Sequence, residues 1–219
     1  MSIKSLLAAL TITALLLGGC AEPMSKTQKG AAYGTAIGAA AGAGLGQAIG
    51  GDTKGTLLGA GIGAVVGGLA GAGIGNYMEK QEADLQQQFA TSDAASVRRD
   101  ANVLAVTFKS DVLFDSGSSA LKPGAYQEIN RVSQVLTQYP ETRIMVAGHT
   151  DSDGAEAFNQ DLSVRRAENV RNALVAQGVS AARITTMGFG ETQPIADNNT
   201  QAGKQLNRRV VVTITPNQA

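Results

Sequence analysis

The chain has 219 residues, a net charge of zero from 18 basic and 18 acidic side chains, 27 glycines and no tryptophan. Balanced charge gives none of the basic footprint that nucleic-acid binding requires. A single cysteine and a single histidine exclude an internal disulfide and a histidine-based metal cluster.

Lys4 opens the chain with positive charge, Leu6 to Leu17 is a short apolar run, and Leu17-Gly18-Gly19-Cys20 closes it with small residues before the cysteine. A run this short reads as a secretory signal and not as a spanning helix. It resembles a bacterial lipobox. That resemblance implies removal of residues 1–19 and acylation of Cys20, by palmitate and related chains. Ala21, in place of Asp, implies sorting to the outer membrane. Several acyl chains anchor far more firmly than one. Residues 20–29 would then be a tether.

Seventeen of the 27 glycines lie between Gly30 and Gly75. They recur every four residues, at 30, 34, 38, 42, 46 and 50 and again at 55, 59, 63, 67, 71 and 75. Two charge-free runs, separated by Gly51-Asp52-Thr53-Lys54, predict a helical hairpin over 30–78. Each run of about 20 residues would reach roughly 30 Å as a helix. Glycine costs a helix about 1 kcal/mol per residue against alanine, so close backbone packing through the glycine face has to compensate. A four-residue period favours a right-handed crossing. The segment is similar to glycine-zipper two-helix domains. A membrane-embedded hairpin, a water-facing self-associated assembly and a low-complexity spacer all remain open for it. No GxGxxG or G-x-x-x-x-G-K pattern occurs, so it is no phosphate cradle.

Asn76 to Ala90 is charged and glutamine-rich. Met78, Leu85 and Phe89 suggest a connecting helix, with a solvated linker as the alternative, and polar Thr91–Asp100 reads as a boundary. The expectation is a helical and polar linker over 79–100, followed by a domain over 101–216. In that domain, alternation in Asn102–Phe108 predicts a strand, and Val112-Leu113-Phe114-Asp115 leads into a turn. Pro123 suits a first helical position, and Ala125, Ile129, Val132, Leu136 and Tyr139 trace one helical face that Pro140 stops. Arg143–Ala147 is a second strand. Leu162, Val170 and Leu174 mark a second helix ended by Gly178. Arg183–Met187 is a third strand, Asn199–Leu206 a short helix and Arg209–Thr215 a fourth strand. Alternating strands and helices imply an α+β domain, β-α-β-α-β-(α)-β, with helices packed on a mixed sheet.

Within it, Thr150-Asp151 follows the second strand, at the sheet end where ligands tend to bind. Positions 162, 166, 170 and 174 share one face of the second helix, which places Arg166 among Leu162, Val170 and Leu174. A guanidinium there is costly unless it meets a carboxylate or several acceptors. Asp151 and Arg166 could form an internal ion pair, or be held apart for a ligand carrying both an ammonium and a carboxylate. The residues alone leave both readings open.

Phe114-Asp115, His149-Thr150-Asp151, Asn159-xx-Leu162-Ser163-xx-Arg166-Ala167-xx-Val170 and Asn207-Arg208-Arg209-Val210 together resemble, in order, the motifs of the OmpA-like peptidoglycan-binding family. The resemblance covers about 115 residues, roughly 101 to 216. It implies that Asp151 takes the ammonium and Arg166 the carboxylate of a meso-diaminopimelate stem peptide, bidentately. Asp115, Thr150, Asn159, Leu162 and Arg209 are implied as wall or support positions, although Asn159 and Asp115 could equally be cap and turn residues. Asp151-Ser152-Asp153-Gly154 fails as a calcium loop, because its glycine comes early and position twelve is Leu162. His149 lacks the G-x-S-x-G partner of a serine triad. No catalytic residue, metal site or cofactor is expected.

The expectation is a lipoprotein, held in the outer membrane and facing the periplasm, that tethers membrane to wall without covalent chemistry. The alternative is an oligomeric envelope channel or assembly factor acting through the glycine hairpin, with the C-terminal domain only localising it.

Overall fold

The computed structural model describes residues 72–217. The expected signal segment, Cys20, the tether and residues 30–71 of the hairpin lie outside the described residues. The described elements are helix α1 (Ala72–Phe89), strands β1 (Ala95–Asp100) and β2 (Val103–Lys109), a single helical turn α2 (Ser110–Leu113), helix α3 (Pro123–Gln138), β3 (Thr142–His149), α4 (Glu156–Ala176), β4 (Ile184–Gly188), α5 (Gln201–Asn207) and β5 (Arg209–Pro216). They build one mixed five-stranded sheet in the order β1-β2-β5-β3-β4. Only β3 and β4 run parallel.

Alternation in each strand divides two faces. Leu104, Val106 and Phe108 of β2, Ile144 and Val146 of β3, and Val210, Val212 and Ile214 of β5 meet the helices in one apolar core. Ile129, Val132 and Leu136 of α3, Val170 and Leu174 of α4, and Met78, Leu85 and Phe89 of α1 complete it. The opposite face carries only a small cluster, Ala105, Ala147 and Val211, with Phe189 packed beside it.

α3 starts at Pro123, with Lys122 extended before it, because proline needs no amide acceptor in the first turn. Its last residue precedes Tyr139, whose backbone has left the helical region (φ −114°, ψ 73°), as the residue before Pro140 must. α4 ends toward Gly178, which is left-handed at φ +95°.

Two features differ from the sequence reading. Polar Thr91–Asp100, read as a boundary, contains β1, which pairs antiparallel with β2 from Ala95↔Phe108 to Asp100↔Val103. β1 is an edge strand, with Ala95 and Val97 packed on the core while Ser96 and Arg98 are exposed, so only half of it needs apolar residues. Its hairpin turns through Ala101 at φ +50°, without the Asn-Gly or Asp-Gly pair that announces such turns. In addition, α1 runs unbroken across position 78, where the hairpin was expected to give way to a linker. Met78 is fully buried in the core. Among the described residues, no helix is long and apolar enough to cross a membrane.

Two glycines set α4 on the sheet. A Cβ at Gly148 would overlap the Ser163 carbonyl, and one at Gly188 would meet the Ser163 hydroxyl and Val164 at 2.5 Å. Only glycine lets the helix backbone lie this close to β3 and β4. That approach brings the middle of α4 beside the loop that follows β3.

A charged pocket at the carboxyl end of β3

The loop from Thr150 to Ala155 leaves the end of β3 and is tied down from three sides. The Thr150 amide donates to the Gly190 carbonyl at 2.8 Å. The Asp153 amide donates to Asp151 Oδ1 at 3.2 Å. Asn159, in the first turn of α4, directs its Nδ2 at the Asp151 carbonyl (3.3 Å), the Asp153 carbonyl (3.0 Å) and Glu191 Oε2 (2.6 Å). Asn159 is therefore a clamp on the loop that presents Asp151, and not a helix cap. The Thr150 hydroxyl is buried with no hydrogen-bond partner among the described residues. Leu162 is buried yet belongs to neither apolar cluster.

Arg166 lies on the inner face of α4, as its spacing predicts, and is only 3% exposed. Its Nε donates to the Ser118 carbonyl at 2.9 Å and its Nη2 to the Asp115 carbonyl at 3.3 Å. The guanidinium carbon stands 4.9 Å from the centre of the Phe114 ring, a cation–π contact. Phe114-Asp115 therefore serves the pocket through a ring and a carbonyl. The Asp115 carboxylate itself points outward and meets Lys122 Nζ at 3.5 Å.

Among the described residues no ion pair joins Asp151 to Arg166. The partner of Asp151 is Arg208, whose Nη1 donates to Asp151 Oδ2 at 2.6 Å. Arg208 also faces Asp111, with Nε to Oδ1 and Nη2 to Oδ2 both at 3.4 Å. The hydrogen bond to Asp151 raises the Arg208 pKa further, with Asp111 adding to it. Burial lowers that of Arg166, while Asp111 and Asp151 act to raise it and Arg208 to lower it. The pocket is thus a quartet of two cations and two anions in mutual electrostatic range.

Arg208 was not singled out in the sequence, whereas its neighbour Arg209 was. Arg209 is 3% exposed on the opposite face of the sheet from the apolar core. It donates to the Asn207 and Gln193 carbonyls at 3.2 and 3.0 Å, and desolvation pushes its pKa down to about 10. Asn207 holds the preceding loop with bonds from the Ile195 and Ala196 amides and to the Ala196 carbonyl. One signal could have separated the two arginines. Val210, Val212 and Ile214 must face the core, which turns Arg209 to the other side and leaves Arg208 in the turn before β5.

His149 is fully buried, stacks on Phe189 at 5.1 Å and 13°, and among the described residues has no hydrogen-bond partner at either ring nitrogen. Burial, with the Arg209 charge second, holds its pKa well below the ordinary value.

The comparisons with known proteins agree with this architecture. The OmpA family matches residues 113–208, a span that holds Phe114, Asp151, Arg166 and Arg208. Those residues form an OmpA-family domain. A YMGG-like Gly-zipper family matches residues 1–79, ahead of the OmpA-family domain and almost wholly outside the described residues. The chain is 42% identical to the "Probable lipoprotein YiaD" of Escherichia coli over 66% of this chain and 65% of that protein. It is 39% identical to the "Peptidoglycan-binding protein ArfA" of Mycobacterium bovis over 47% of this chain and 32% of the relative. Both matches span less than two thirds of the relative's length. Among solved structures, the cell wall anchor of the T6SS from Pseudomonas aeruginosa superposes with a TM-score of 0.57 and 27% identity, over 62% of this chain and 96% of that one.

Proposed function

We propose that this chain is a lipid-anchored peptidoglycan-binding protein that tethers the outer membrane to the cell wall. One end would be held in the membrane by acylated Cys20, with the protein facing the periplasm. The other would grip the diaminopimelate of a stem peptide, its ammonium at Asp151 and its carboxylate at Arg166. Thr150, Asn159, Leu162, Asp115 and Arg209 shape or support that grip.

One observation carries the reading. Arg166 is buried, yet its Nη1 has no partner among the described residues, and Asp151 stands in electrostatic range without pairing to it. A ligand carboxylate can take the free edge of the guanidinium, with charge-assisted bonds about twice as strong as neutral ones. The peptidoglycan-binding protein and the cell wall anchor that this chain resembles support the ligand class. Repetition along the wall would let modest single-site affinities act together.

The test is co-sedimentation of the full-length chain, in detergent, with purified diaminopimelate-type wall, alongside D151N and R166Q. The wild type is expected to pellet and both variants to stay soluble with unchanged circular dichroism. Wild-type protein left in the supernatant would overturn the proposal.

A further inference from the structure

We propose that Arg208 is an internal stand-in for the ligand ammonium, held on Asp151 in the free protein and transferred to Asp111 when the ligand arrives. The proposal rests on the function proposed above. Asp151 is 7% exposed and both its oxygens are engaged, Oδ2 by Arg208 Nη1 at 2.6 Å and Oδ1 by the Asp153 amide at 3.2 Å. While Arg208 holds Oδ2, an arriving ammonium has to share this carboxylate with a second cation.

The other side of Arg208 shows where it can go. Its Nε and Nη2 already face the two Asp111 oxygens in parallel, side-on geometry, at 3.4 Å each. Those contacts are long for charge-assisted bonds, which settle near 2.7–2.9 Å. A shift of the Arg208 side chain toward Asp111 would shorten both contacts and weaken its hold on Asp151. The Arg208 side chain is 29% exposed, so it can move without opening the core, whereas Asp111 at 50% exposed remains solvated throughout.

The exchange keeps the quartet neutral in both states. In the free protein Arg208 prevents Asp151 from being a buried lone anion. In the bound protein the ligand ammonium does so, and Arg208 is neutralised by Asp111. Arg208 is therefore a positioning residue that sets the affinity threshold through Asp151. It does not set selectivity between stem peptides, because the carboxylate that distinguishes diaminopimelate from lysine belongs to Arg166.

Isothermal titration of the full-length chain in detergent tests this, using a soluble diaminopimelate-containing muropeptide and its lysine-containing counterpart. R208Q removes the competitor and should bind both muropeptides about three- to tenfold more tightly, leaving their affinity ratio unchanged. D111N removes the retreat and should weaken both, with R208K falling between wild type and R208Q. Circular dichroism checks that all variants fold. A merely structural Arg208 would make R208Q weaker, as would an Arg208 that binds the ligand carboxylate, and the latter would also change the ratio. Either result overturns the exchange while the function stands. If wild type binds neither muropeptide, the function and the exchange fall together.

Discussion

Arg183 and Arg166 both reach across this domain to backbone carbonyls, and they are used differently. Arg183, at the end of a 3-10 turn before β4, spends every nitrogen. Its Nε donates to the Thr142 carbonyl at 2.7 Å, Nη1 to the Leu136 carbonyl at 2.9 Å, and Nη2 to the Tyr139 carbonyl and the Thr142 hydroxyl at 2.8 and 2.7 Å. Leu136 and Tyr139 close α3, where the last carbonyls lack intrahelical partners and cations are favoured. Arg166 is more deeply buried but makes only two such bonds. The more desolvated cation is the less satisfied one. If Arg166 binds ligand as proposed, this contrast separates a helix clasp from a binding group better than burial does.

The largest effect should come from breaking the clasp. R183A leaves the end of α3 without its cap and should lower unfolding stability by about 3 kcal/mol, since each bond to a charged donor contributes about 1.5–3 kcal/mol and several act together here. Wall sedimentation at a temperature where the variant is still folded should be unchanged. A variant as stable as wild type in urea would show that the clasp is ornamental.

R166Q should show the reverse pattern. The amide can keep a bond to the 115–118 loop, so the urea midpoint should stay close to wild type. Muropeptide affinity should fall by about tenfold or more, as expected when a charge-assisted pair is lost. If stability collapses with affinity, Arg166 is a second clasp and the comparison breaks.

A third test uses pH. His149 lies beside Arg209 with both ring nitrogens unpartnered. Its folded pKa is lowered, so the unfolded chain binds a proton first as pH falls below 6.5. The stability from neutral His149 is then fully present above pH 6.5 and is lost as pH drops toward the folded value. Urea midpoints of wild type should fall across this window more steeply than those of H149F, whose ring can still stack on Phe189. Parallel slopes would mean that His149 is not the group responsible. Wall binding measured above pH 6.5 should be equal for the two proteins, because among the described residues no hydrogen bond or ion pair joins the His149 ring to the quartet.

Much of this was legible in the chain, for identifiable reasons. α3, α4, β2, β3 and β5 carry apolar residues at the spacing of their period, and Pro123, Pro140 and Gly178 mark ends that only a few residue types tolerate. Asp151 and Arg166 were legible because a strand end and a helix face place them by counting. β1 was not, since an edge strand needs only Ala95 and Val97 on its inner side and turns at a left-handed alanine. Arg208 was not either. Its contact with Asp151 spans 57 positions and depends on the turn before β5, which no local pattern announces. The choice between an Asp151–Arg166 pair and a separation was likewise out of reach, because it is decided by the 114–119 loop closing over Arg166.

The smallest effect is expected at a residue that the motif singles out. Asp115 sits next to Phe114 in a pattern shared with a binding family, so its carboxylate invites a role on the ligand. The structure gives the role to its carbonyl, which accepts from Arg166, while the carboxylate is 77% exposed and meets only Lys122 at 3.5 Å. Exposed pairs of that kind contribute about 0–1 kcal/mol. D115A retains the carbonyl and should bind muropeptide within about twofold of wild type, a change below 0.5 kcal/mol. If D115A instead lost affinity as R166Q does, the carboxylate would reach the ligand. The pocket would then hold three acidic groups, and a second ligand cation would have to be sought.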